Sequence, residues 1–148
     1  MTHTYNVDLS WDGTRIGTMC SPEIIDKGGA CFEVATPPEF PKGIEGVWSP
    51  EHLFTAAVNS CLMTTFLAIA ENSNLPFQKF TSSAQGKLEQ VDGKYMMSEI
   101  VLYPVVTLND ENLISKAERI LQKSEAACLI SNSVKSKITM VTKILIES

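Results

Sequence analysis

The 148-residue chain is short of positive charge and shorter still of metal-binding side chains. Lysine and arginine together number 12 against 17 acidic residues, so the formal net charge is −5. No basic cluster offsets that balance, which excludes nucleic acid as the main partner, because phosphate recognition needs a basic footprint. There are two histidines, His3 and His52, and the four cysteines at 20, 31, 61 and 128 form no CxxC and no zinc spacing. Neither a metal nor another cofactor is therefore expected. The segment Met1 to Asp8 lacks the basic and apolar regions of a signal peptide, which points to the cytoplasm. In that compartment the four cysteines are expected to rest as thiols rather than as structural disulfides. No repeat, low-complexity tract or linker divides the chain, and its length suits a single domain spanning residues 1–148.

What the chain does have is one long apolar stretch, Ser49 to Glu71. Ser49 is a capping residue, Pro50 suits the first helical position and Glu51 favours the positive helix end. Beyond them nearly every face is apolar or small, through Ala56, Ala57, Val58, Leu62, Phe66, Leu67, Ala68 and Ile69. Such a helix belongs in a core or in a membrane. Asn59, Ser60, Thr64 and Thr65 interrupt it and Glu51 and Glu71 bracket it, which favours a central buried helix over a span.

Strands are expected around it. Thr4 to Trp11 alternates Tyr5, Val7, Leu9 and Trp11 with polar residues, Asp12-Gly13 marks a turn, and Arg15 to Cys20 returns as the second strand of a hairpin. Lys27-Gly28-Gly29 reads as a further turn before a short strand at Cys31 to Val34. The proline- and glycine-rich run from Thr36 to Trp48 reads as a loop leading into the helix. After a break at Asn72 to Pro76, Phe80 to Val91 and Tyr95 to Leu108 form a long hairpin around Asp92-Gly93. A second helix starts at Asn109-Asp110, with Leu113, Ile114, Ala117, Ile120, Leu121 and Cys128 on or near one stripe. A short helical piece over Ser131 to Lys137 and a last strand over Ile138 to Ile146 complete an α+β fold of antiparallel sheets. Covering the central helix on all sides calls for a second copy, so a homodimer packing its central helices together is expected.

A free cysteine often acts as a small buried hydrophobe, and Cys20 and Cys31, on expected strands, take that reading. Cys61 and Cys128 differ, because both lie on helices whose apolar faces meet in one core. A buried thiol is unreactive unless a cation lowers its pKa. Arg15, one of only two arginines, is flanked by Gly13 and Gly17, whereas Arg119 falls on the polar side of its helix. A carboxylate at Glu51 suits a guanidinium bidentately. These residues permit a reactive cysteine without requiring one.

Four pieces in order resemble the OsmC/Ohr family, the osmotically inducible and organic hydroperoxide resistance proteins. Gly13-Thr14-Arg15-Ile16-Gly17 is similar to the family's glycine-flanked arginine, and Trp48-Ser49-Pro50-Glu51-His52-Leu53 to its helix entry. Ala56 to Cys61 resembles its small-residue run ending in cysteine, and Ala127-Cys128-Leu129-Ile130-Ser131-Asn132 its second cysteine motif. The resemblance implies an intertwined α+β homodimer and a thiol peroxidase acting on organic hydroperoxides in oxidative-stress defence. On that reading Cys61 is the peroxidatic thiolate, Cys128 resolves its sulfenic acid as a disulfide, Arg15 orients the peroxide and Glu51 anchors Arg15. A dithiol or a lipoylated protein would be the reductant. Two departures, Leu129 where the family usually has proline and Trp-Ser in place of Thr-Asn at the helix entry, suggest a less-characterised branch. Phe54, Phe66, Met63, Met96 and Met97 are candidates for an apolar pocket wall, and His52 is read as an ordinary first-turn residue. Two other readings stand beside this one: a redox-sensing thiol protein on the same scaffold, and a non-enzymatic binding module for an apolar ligand.

Overall fold

The computed structural model describes residues 1–148, which form two compact units, Met1–Leu53 and Phe54–Ser148. The first is built on a three-stranded antiparallel sheet of β1 (Asp8–Gly13), β2 (Ile16–Cys20) and β3 (Phe32–Ala35), in that order. The hairpin reverses at Thr14-Arg15 rather than at Asp12-Gly13: Gly13 has φ 116° and Thr14 φ 49°, and Arg15 sits in the turn just ahead of β2. Gly17 lies opposite both Trp11 and Val34. A Cβ there would come within 2.6 Å of the Ser10 carbonyl oxygen, so only glycine fits between those strands. The loop after β3 is fastened by the Ala35 N–H donating to the Trp48 carbonyl at 2.8 Å and the Thr36 N–H to that of Arg15 at 3.1 Å.

Two further features of this unit depart from the sequence reading. A four-residue helix, α1 (Pro22–Ile25), lies between β2 and β3, with Ser21 ahead of it and Pro22 at its start. It is too short for any periodicity to show. The second is a disulfide: Cys20 and Cys31, expected as buried thiols, are bonded to each other with Cα atoms 4.6 Å apart. The physical reason is register. Met19 pairs with Phe32, so the next residues outward on the two strands are the cysteines. Cys31 is exposed and Cys20 only half-buried.

The long helix α2 (Pro50–Asn72) starts as expected, the His52 N–H donating to the Ser49 side-chain oxygen at 3.2 Å. Most of it belongs to the second unit, where it packs on a hairpin of β4 (Lys79–Val91) and β5 (Lys94–Leu108). The hairpin turns on Asp92-Gly93, at φ 52° and 78°, the paired positive φ of a tight two-residue turn. Gly86 on β4 lets α2 approach, because a Cβ there would collide with the Thr55 hydroxyl. Asn59 of α2 and Ser82 of β4 satisfy each other: the Asn59 amide donates to the Ser82 carbonyl at 2.9 Å and the Ser82 hydroxyl to the Asn59 oxygen at 2.6 Å. Val58 and Leu62 pack with Ile100 and Leu102, while Phe66 and Ala70 pack with Val106, Leu108 and the second long helix, α3 (Ile114–Ala127). Phe66 is wholly buried, stacked on Phe80 at 4.8 Å and edge-on to Phe77 at 5.2 Å.

Only one side of α2 is covered by its own chain. Met63 and Leu67 remain 41% and 42% exposed, so the central helix is buried on one face rather than all round. It has the length and composition of a membrane span, yet four of its apolar residues anchor the two cores. Asp110 starts α3 through a 3-10 turn at Glu111–Leu113, accepting from the Asn112 N–H at 2.9 Å. A second 3-10 turn, Ser131–Ser133, replaces the expected helical piece. The single last strand divides into β6 (Lys137–Met140) and β7 (Lys143–Ile146), both parallel to β5. The second sheet is therefore mixed rather than wholly antiparallel. The fold class is α+β, with two sheets, a central helix and a second amphipathic helix, as the sequence implies.

Candidate functional site

Cys61 lies near the middle of α2 on its covered side, four residues from Thr65, whose hydroxyl is 3.9 Å from the Cys61 sulfur. Cys128 ends α3. Its N–H still bonds to the Glu125 carbonyl at 3.2 Å, but its ψ of 112° turns the chain out of the helix. The turn that follows is held by the Asn132 N–H on the Cys128 carbonyl at 3.1 Å and the Ser133 N–H on that of Ile130 at 2.9 Å. The Ser133 hydroxyl on the Leu129 carbonyl at 2.7 Å and the Asn132 amide on that of Ala126 at 3.2 Å complete it. Bent in this way, the turn brings the N–H groups of Leu129 and Ile130 and the Cys128 thiol near enough to the Cys61 sulfur to favour its ionised form.

The two sulfurs are consequently driven apart in acidity. Burial pushes the Cys61 thiol up, but four donors outweigh it: the Cys128 thiol, the Ile130 N–H, the Thr65 hydroxyl and the Leu129 N–H. The net shift is downward, towards the thiolate. Cys128 moves the other way, pushed up first by burial and then by its role as donor to Cys61 and by the negative charge that develops there. The Ser131 hydroxyl, buried without another partner, and the Ser131 N–H oppose this too weakly to reverse it. The pair is therefore a sulfur shifted towards the thiolate beside one held towards the thiol. That is the arrangement in which an oxidised first sulfur is captured by the second.

The other two candidates belong to the first unit. Arg15 is exposed on the β1–β2 turn and lines a cavity of about 400 Å³ with Leu9, Trp11, Ile16, Val34 and Pro50. Glu51 follows Pro50 in the first turn of α2 and is half-buried. His52 is exposed, with its Nδ1 2.7 Å from the Ser49 hydroxyl and its ring edge-on to Trp48 at 6.1 Å, which makes it part of the helix entry. Of the five expected pocket residues, Phe54, Met96 and Met97 do line one cavity, of about 790 Å³, together with Tyr95 and Val134. Phe66 is in the core instead and Met63 on the open face of α2. That cavity's lining includes neither cysteine.

Sequence reading did not pick out Thr65, Leu129, Ile130 or Ser131 as contributors. Thr65 carries a signal, the i, i+4 spacing from Cys61 on a helix. The backbone donors carry none, because every residue but proline owns an N–H and only the bend of the turn aims it.

A family model described as OsmC-like protein matches residues 43–143. The uncharacterised protein YmaD of Bacillus subtilis is 22% identical over 143 residues, 93% of this chain and 91% of its own. Among solved structures, an OsmC-like protein of unknown function from Vibrio cholerae superposes with a TM-score of 0.82 at 23% identity, covering 95% of this chain and 99% of the other. The organic hydroperoxide resistance protein OsmC of Legionella pneumophila gives a TM-score of 0.75 at 19% identity over 99% of both chains. The organic hydroperoxide resistance protein OhrB of Bacillus subtilis gives 0.65 at 21%, covering 96% and 98%.

Proposed function

This chain belongs to the OsmC-like family, and from that premise we propose that it is a thiol-dependent peroxidase reducing organic hydroperoxides to alcohols. The observation that carries the reading is the Cys61 sulfur, lowered in pKa despite its burial and influenced by a Cys128 thiol whose pKa is raised. The Cys61 thiolate attacks the terminal peroxide oxygen. The O–O bond breaks, its electron pair leaves with the alkoxide, and the alkoxide takes a proton to become the alcohol. Cys61 is left as a sulfenic acid. Cys128 attacks that sulfur, the hydroxyl leaves as water, and a Cys61–Cys128 disulfide forms. A dithiol, small or lipoyl-borne on a protein, returns two electrons and two protons. Arg15 would orient the peroxide and offset the charge that develops on its oxygens, with Glu51 as its anchor.

The same reading makes the protein a single-domain cytoplasmic homodimer acting in oxidative-stress defence. The open side of α2, with Met63 and Leu67 exposed, supports a second copy packing there. The cavity lined by Phe54, Met96 and Met97 but by neither cysteine favours a second reading, a binding module for an apolar ligand. Peptide mass mapping after a small excess of cumene hydroperoxide, on the wild type and on Cys128→Ser, separates the two. A Cys61–Cys128 disulfide in the wild type and added oxygen on Cys61 in the variant are expected. A Cys61 that stays a thiol while free cysteine is consumed refutes the peroxidase, and ligand carried through purification would then favour the binding module.

A further inference from the structure

The Cys20–Cys31 bridge lies in the first unit and plays no part in the chemistry proposed for Cys61 and Cys128. Three observations set it apart from a structural staple. The strands it joins are already paired from Ile16 opposite Ala35 to Met19 opposite Phe32, so the ladder does not need it. The segment it closes has almost no packing of its own: α1 contributes no buried residue, and residues 22–30 are all exposed. That segment is held by exposed contacts, such as the Gly29 N–H on the Ile24 carbonyl at 2.9 Å within it and the Asn6 N–H on the Glu23 carboxylate at 3.1 Å from the stretch ahead of β1. Finally, Cys31 is exposed and Cys20 half-buried, so an attacking thiolate reaches the bridge from solvent at the Cys31 side. Exposed disulfides are the ones that exchange.

We propose that Cys20–Cys31 is a second thiol–disulfide exchange site, whose substrates are low-molecular-weight thiols and dithiols. The incoming thiolate bonds to the Cys31 sulfur. The Cys20–Cys31 bond breaks, and its electron pair leaves on Cys20, which takes a proton. A mixed disulfide then remains on Cys31. The second thiol attacks the sulfur of the bound reductant, so the reductant departs as its own disulfide and Cys31 becomes a thiol. Two electrons and two protons have entered the protein, and excess disulfide of the same class runs the sequence backwards. Opening the bridge releases residues 21–30, because a few exposed hydrogen bonds without buried side chains do not order ten residues against chain entropy.

The test equilibrates the wild-type protein in graded mixtures of reduced and oxidised glutathione, followed by acid quench, alkylation and mass mapping of all four cysteines. The bridge is expected to open and close reversibly across the series, with glutathione trapped on Cys31 in preference to Cys20. Tryptic cleavage after the exposed Lys27 should accelerate several-fold in the open form. A bridge that stays closed in fully reduced glutathione is a structural staple, and a pair that stays reduced in fully oxidised glutathione is no exchange site. Either result overturns the proposal. Mapping each cysteine keeps the outcome separate from the peroxidase reading, since a protein inert to peroxide would still show this exchange.

Discussion

Replacing Leu129 by proline deletes one N–H from the group aimed at the Cys61 sulfur and changes little else in the turn. Cys128, the preceding residue, sits at φ −64° and ψ 112°, in the extended region a residue before proline prefers. The Leu129 carbonyl, which accepts from the Ser133 hydroxyl, is retained. Losing a donor to a thiolate raises the folded-state pKa of Cys61, so the thiolate fraction falls at any pH below that pKa. A net hydrogen bond of about 1 kcal/mol corresponds to about a fivefold loss of thiolate at neutral pH. The remaining thiolate is intrinsically more nucleophilic, because reactivity rises with basicity at a slope of about 0.4–0.5, which returns about twofold. The rate of Cys61 alkylation by iodoacetamide, followed by peptide mass against pH, should therefore drop about two- to threefold near neutrality. At high pH, where both proteins are ionised, the order should reverse, with the variant about twofold faster. Leu129→Ala keeps the N–H and should trace the wild-type curve. Overlapping profiles for the proline variant and the wild type, or an alanine variant displaced as far as the proline one, would refute the role given to this backbone donor.

Arg15→Ala should lower kcat/KM for cumene hydroperoxide by about a hundredfold, while stopped-flow binding and melting curves show an intact fold. An unchanged kcat/KM would remove Arg15 from the mechanism. Phe66→Ala should cost about 3–5 kcal/mol in urea unfolding, since the ring is wholly buried between Phe77 and Phe80. A loss under 1 kcal/mol would mean that the core closes over the gap. For Asn59 and Ser82, whose side chains answer each other across α2 and β4, a double-mutant cycle to alanine should give a coupling of about 0.5–3 kcal/mol. Additive costs would show that the pair is not a unit.

Local chemistry made much of this fold readable in advance. Ser49-Pro50 announced the start of α2, Asp92-Gly93 the long hairpin, and the apolar stripe from Leu113 to Leu121 the amphipathic helix. Each signal acts within a few residues, as capping, positive φ and helical periodicity do. What escaped needed information from further away. Alternation along Ile138 to Ile146 marks a strand but says nothing of its direction, so the parallel pairing of β6 and β7 with β5 was not foreseeable. The division at Val141-Thr142 was equally hidden, although Val141 is tied to the Leu102 carbonyl and Thr142 to the Glu118 carboxylate. Cys20 and Cys31 became partners through strand register, which no residue announces by its identity. At the candidate site, the cysteines were legible from context and resemblance, but the donors that tune Cys61 are mostly backbone groups.

The parallel pairing also bears on how the chain reaches this shape. β5 carries two successive late strands along one edge, Glu99 to Leu102 paired with β6 and Val105 to Leu108 with β7. Each pairing partner lies about forty residues further on. During synthesis the long hairpin exists well before that edge can be closed, presenting a row of unanswered amides and carbonyls while α3 is still emerging. High contact order of this kind slows folding and leaves a template for cross-chain pairing in the interval. The cell's exposure to misassembly is therefore set by how quickly the last two strands arrive.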